Sequence, residues 1–145
     1  MRSSLLVSVA AALGLSVPGC TAAPPTAPGV AHLLLAQGLE QTVQLTPAEP
    51  ARGDQLSIVS VVTNRTADSA ALTSRICGLD TAGDLGLVTA RLACAGYSVS
   101  ATLASGASIT GADVRVVASP PGRYTLRVRQ LLVPEAWVEV PVVVR

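Results

Sequence analysis

The sequence predicts an all-β chain: an antiparallel β-sandwich of about seven to nine strands with Greek-key connections. Three observations point there. Apolar residues recur with a period of two, not three and a half. Short apolar runs are separated, at regular spacing, by glycine, proline, asparagine and aspartate. Helical patterning is scarce: only residues 30–39 have a claim to it, and Gly38 beside an apolar run leaves that segment undecided.

The strands follow in order of clarity. Tyr97, Val99, Ala101 and Leu103 alternate with Ser98, Ser100 and Thr102, the signature of a half-buried strand. Tyr124, Leu126 and Val128 alternate with Thr125, Arg127 and Arg129. Val138, Val140, Val142 and Val144 do so opposite Glu139 and Pro141, and Val88, Ala90 and Leu92 oppose Thr89 and Arg91. Val43 and Leu45 flank Gln44. Residues 56–63 are more uniformly apolar and β-branched, which suits a central strand buried on both faces or one carrying a bulge. Residues 72–76 and 114–117 complete the set. Turn signals fall at residues 50–54, 64–69, 80–86, 105–106 and 119–122.

The start of the chain reads as an address. Arg2 precedes an apolar run over residues 5–17 that ends in Val17-Pro18-Gly19-Cys20. A charged start, a short apolar segment and small residues before a cleavage point describe a secretory signal. The run is shorter than the roughly 18 residues that cross a bilayer. Its last four residues resemble the lipobox of bacterial lipoproteins, with Val17 as the aliphatic position, Gly19 as the small one and Cys20 as the thiol. Pro18 departs from the small residue commoner there. The resemblance implies removal of residues 1–19, acylation of Cys20 and anchoring to a membrane, with each buried methylene contributing about 0.8 kcal/mol. Thr21, with no aspartate after the cysteine, favours the outer membrane or its periplasmic face. The rivals are ordinary cleavage after Ala23, which Pro24 and Pro25 oppose, and an uncleaved helix, which Gly14 and Pro18 oppose. Residues 20–29 are then a lipidated cysteine and proline-rich tether, and residues 30–145 one folded domain.

From Cys20 onward 126 residues remain, enough for one domain. All ten positive charges are arginine, and past Cys20 nine arginines balance nine acids. That balance does not support a nucleic-acid partner, which would need a basic stripe. With Cys20 lipidated, Cys77 and Cys94 are left as a disulfide pair in an oxidising compartment. Closing that loop would stabilise the fold by about 3 kcal/mol. A redox couple lacks the C-x-x-C spacing, and a metal site lacks ligands, since the only histidine, His32, is remote in sequence.

Two local patterns narrow the architecture. Gly53-Asp54-Gln55, then residues 56–63, then Asn64 resembles the "G-D-x, alternating β, N" segment of bacterial immunoglobulin-like domains. Residues 121–128, Pro-Gly-Arg-Tyr-Thr-Leu-Arg-Val, resemble their late "P-G-x-Y-x-L-x-V" strand. The resemblance covers roughly residues 40–145 and implies an immunoglobulin-like sandwich with the tyrosine in the core and its hydroxyl at the rim. The BsuPI-type proteinase inhibitor domain shares such motifs.

No constellation of catalytic residues is evident, so the expectation is a non-enzyme without cofactor or metal. There is no G-x-S-x-G elbow and no phosphate-cradling glycine loop. His32 reads as a peripheral structural residue. Asp80 and Asp84 offer too few ligands for calcium and read as a solvated turn. Asn64-Arg65-Thr66 matches a glycosylation acceptor but reads as a strand-end turn. The residues set aside for binding are Arg123, Arg127, Arg129 and Trp137, the last a contact anchor if exposed and a core plug if buried. The expected function is a non-catalytic envelope lipoprotein that contacts the membrane through lipid and binds another envelope protein or serves as a structural accessory. The alternatives are a proteinase inhibitor presenting residues 80–86 as an exposed loop, and a small-molecule or metal carrier.

Overall fold

Alternating sequence becomes sheet wherever one face finds something apolar to cover it. The computed structural model describes residues 29–75, 79–89, 98–130 and 136–145. Among them are ten strands, one 3-10 turn (Ala36–Gly38) and no α-helix. The strands are β1 (Val30–Leu34), β2 (Leu39–Thr46), β3 (Gln55–Asn64), β4 (Ala70–Arg75), β5 (Leu79–Gly83), β6 (Leu87–Thr89), β7 (Ser98–Leu103), β8 (Ser108–Val117), β9 (Gly122–Gln130) and β10 (Val138–Val144).

Every pairing is antiparallel. A five-stranded sheet has the order β1-β2-β3-β8-β6, a three-stranded sheet β10-β9-β5, and β4 pairs with β7 in a two-stranded ribbon. With β2, β3, β5, β6, β8, β9 and β10 lettered A to G, the two larger sheets are ABED and CFG. That is the Greek-key order of an immunoglobulin-like sandwich. To it the chain adds β1 outside strand A and the ribbon between the B–C and D–E connections. The chain enters between the sheets at Gly29, whose N–H donates to Pro141 O (3.3 Å) and whose carbonyl accepts from Leu45 N (2.7 Å).

The core has two parts. The larger lies between the sheets, where Val43, Leu45, Leu56 and Ile58 meet Leu126, Val128 and the inward valines of β10, all essentially inaccessible. The smaller gathers Leu35, Leu39 and Val62 under Leu72 and Leu103 of the ribbon, with Ile109 and Ala136 at its margin. By register, a buried polar chain sits at the boundary. Gln41 Nε2 donates to Ser60 Oγ (3.0 Å), and the Ser60 hydroxyl donates to Gln130 Oε1 (2.9 Å). Pairing three buried polar side chains with one another avoids most of the cost of desolvating them.

The ribbon continues the β3–β8 ladder after an interruption. Thr63 pairs with Ser108, and the next pair is Ala70 with Leu103, so six residues are looped out on one side and four on the other. Asn64 fills that gap with no exposed surface. Its Nδ2 donates to Asp68 O (2.8 Å) and Leu103 O (2.9 Å), while Oδ1 accepts from Thr66 N (3.0 Å) and Thr66 Oγ1 (2.7 Å). The amide that matched a glycosylation acceptor is thus a fully used structural staple.

Several expectations change here. The described residues hold ten strands, because two elements lack clean alternation. Residues 30–39, undecided between helix and strand, form β1 and a single 3-10 turn. Residues 80–86, read as a turn, mostly belong to β5, which pairs with β9. Gly83 there marks a close backbone approach: at φ +118°, an added Cβ would lie 2.2 Å from Thr125 O. The parity of β6 is reversed, for Val88 points outward and Leu87 packs against the core. Residues 56–63 carry no bulge in their register, and their outward residues are half-buried, not buried. Tyr124 behaves as its motif implied. Its ring packs against the core and its hydroxyl donates to Pro120 O (2.9 Å), the tyrosine corner of immunoglobulin-like domains.

Candidate functional site

Period two in β9 sends Tyr124, Leu126, Val128 and Gln130 inward and Arg123, Thr125, Arg127 and Arg129 outward. The neighbouring strands complete the outer face. Arg127 lies opposite Glu139 of β10 on one side and Ala82 of β5 on the other, and Arg129 lies opposite Asp80. Trp137 stands one residue before β10 on the parity of Glu139, which places it level with Arg129.

Both guanidiniums stack on that indole. Arg129 Cζ is 4.7 Å and Arg127 Cζ 5.2 Å from the ring centroid, within cation–π range for each. Arg129 Nη2 also bonds Asp80 Oδ2 at 2.5 Å, with both side chains partly shielded. Arg127 is looser: its Nε lies 4.0 Å from Glu139 Oε1, and both groups are well exposed. Arg129 is therefore held and Arg127 is presented. Trp137, half-buried, is neither a free anchor nor a core plug, but the floor of a charged platform. Its neighbour Ala136 packs against the smaller core, so the platform rests on the ribbon end of the sandwich.

Three of the four residues set aside for binding thus come together. Arg123 shares the face but sits four residues down β9 from Arg127, opposite Val143, and makes no ion pair among the described residues. The sequence marked Asp80 only as part of a solvated turn and not as a partner of Arg129, since β5 offers only Leu79 as an apolar inward residue. Asp84 stays nearby, but its Oδ1 accepts from Thr125 N (2.6 Å), fastening the end of β5 to β9. His32 is peripheral, with Nδ1 3.0 Å from Thr42 Oγ1 on an exposed face. Cys20, Cys77 and Cys94 lie outside the described residues. Among those described, no group of three or more His, Cys, Asp or Glu could hold a metal ion, and no helix is long and apolar enough to cross a membrane.

Compared with family models and with curated proteins, the chain matches none. Among solved structures it is similar to the crystal structure of the yjhA protein from Bacillus subtilis. That likeness has a TM-score of 0.40 at 19% identity, covering 79% of this chain and 96% of that one.

Proposed function

We propose that this chain is an envelope lipoprotein whose sandwich is a non-catalytic binding module, engaging another envelope protein through the Arg127–Trp137–Arg129 platform. The platform carries the reading. Tryptophan and arginine are the residue types that dominate protein interfaces. Here the arginines are held on β9 and the tryptophan one residue before its partner β10, so little side-chain freedom remains to be lost on contact. Arg127 presents a planar donor fork suited to a carboxylate, and Trp137 supplies apolar area beneath it.

Anchoring is the second half of the proposal. Acyl groups on Cys20 would hold the domain at a membrane, with residues 21–28 as spacer up to Gly29. The pairing of Cys77 with Cys94 belongs to the same proposal. Arg75 lies opposite Ser98 at the end of the ribbon, and in sequence Cys77 comes two residues after the one and Cys94 four residues before the other. The expectation that residues 80–86 project as an inhibitory loop finds no such support, because Asp80 to Gly83 are in a strand and Leu85 is buried.

The test is crosslinking in native envelopes followed by capture of this chain and intact-mass analysis. The proposal expects an acylated Cys20, a mass two hydrogens below that of reduced Cys77 and Cys94, and a defined partner lost in Trp137→Ala and Arg127→Ala. Equal recovery by wild type and both variants removes the platform from the account. An unmodified Cys20 removes the anchor.

A further inference from the structure

The outer faces of the two larger sheets differ in kind. The three-stranded sheet turns five charged residues outward: Asp80, Arg123, Arg127, Arg129 and Glu139. The five-stranded sheet has a single outward charge on β2, β3, β8 and β6, Glu40 at the start of β2. Every other described outward side chain on those strands is Ser, Thr, Gln, Ala or Val. The exposed large apolar side chains among the described residues are Leu34, Val88 and Val114, and all three lie on this sheet. Val88 stands opposite Val116, and Val114 lies two residues along the same face, so the apolar groups of β6 and β8 are contiguous.

We infer that this neutral face is a self-association surface, and that its occupant is a second copy of this chain. Charge is the first argument. A face whose one outward charge, Glu40, sits at an end and is already paired with Arg65 meets its own copy with little like-charge repulsion and little stripping of water from ions. A nucleic acid or an anionic headgroup would find no outward arginine on those strands. The described aromatics, Tyr124 and Trp137, are elsewhere, so a sugar surface would find no ring to stack on. The second argument is desolvation. Hydroxyls on the face already satisfy one another, with Thr63 Oγ1 2.8 Å from Ser108 Oγ and Thr42 Oγ1 3.0 Å from His32 Nδ1. The third is area. Strands of five, eight, ten, ten and three residues, about 4.8 Å apart and rising about 3.3 Å per residue, present roughly 570 Å² in projection. A standard interface buries about 800 Å² per partner, so a reversible dimer is expected.

Sheets that pack face to face align within about 30°. A two-fold axis lying along β8 sets Val114 and Val116 against their own copies and Val88 over the partner's β3. The strands of both copies then run in the same direction, and both chains enter their domains at the same end of the dimer. The inference is independent of the platform and of acylation.

Sedimentation equilibrium of the mature chain carrying Cys20→Ser, which removes any lipid, tests it directly. The wild-type face should give a concentration-dependent monomer–dimer equilibrium. Val114→Glu, at a side chain already 38% exposed, should weaken it by at least about tenfold through like charges meeting on the axis. Mixing Val114→Glu with Val114→Arg should restore dimers that neither forms alone, an outcome misfolding cannot mimic. Thr125→Glu, on the charged sheet, should leave the equilibrium unchanged. A wild-type chain that stays monomeric at hundreds of micromolar overturns the proposal, as does equal weakening by Val114→Glu and Thr125→Glu.

Discussion

The two parts of the core bury similar residue types under different roofs. The larger is closed by two sheets, with valine on every inward position of β10 and no exposed surface on Ile58, Val43 or Val140. The smaller is closed by a two-stranded ribbon, and its ribbon residues Leu72 and Leu103 keep 6% and 9% exposure. A lone two-stranded ribbon has little stability of its own. It is held by what lies beneath it and by the staple at its root. The difference teaches where the molecule can yield. The inter-sheet core fixes the fold, while the ribbon end, on which Trp137 and its arginines rest, is the part able to open locally without losing the whole.

The comparison can be broken or sharpened by three substitutions. Leu126→Ala, in the middle of the inter-sheet core, should cost about 4 kcal/mol, as for a leucine whose cavity cannot collapse. Denaturant unfolding should show that loss as one cooperative transition. Asn64→Ala should cost about 3 kcal/mol, because it leaves the buried Leu103 carbonyl without its amide donor and frees the turn of residues 64–69. Hydrogen exchange should place the loss first in β4 and β7. Leu72→Ala should cost about 2 kcal/mol, since the ribbon can settle into the space. Its exchange should rise in the ribbon and leave β9 and β10 protected. If Leu72→Ala matches Leu126→Ala in cost and speeds exchange throughout, the two cores are one unit and the distinction falls.

What the sequence disclosed follows the same division. β2, β9 and β10 were legible because a sheet buried on one face imposes alternation, and Val138 to Val144 obey it except at the outward Val143. β1 was not, because Leu34 is apolar yet exposed and hides the period. β5 was not, because Gly83 carries the turn signal while serving a close approach to Thr125. The parity of β6 was misread from Val88, although Leu85 and Leu87, both turned toward the core, hold the true alternation. In three residues of edge strand there is too little period to decide. At the candidate site the outward parity of Arg127 and Arg129 was readable along one strand. Their meeting with Trp137 and Asp80 was not, because it depends on the registers of β9 with β10 and with β5, which no local pattern encodes.

Trp137 is the chain's only tryptophan, and it lies beneath the guanidiniums of Arg127 and Arg129. Its fluorescence therefore reports on that spot and nowhere else. Any molecule that lifts Arg127 away or seals the indole from water shifts the indole emission of the unlabelled protein, so occupancy of the platform is readable by titration in a cuvette, one indole per chain.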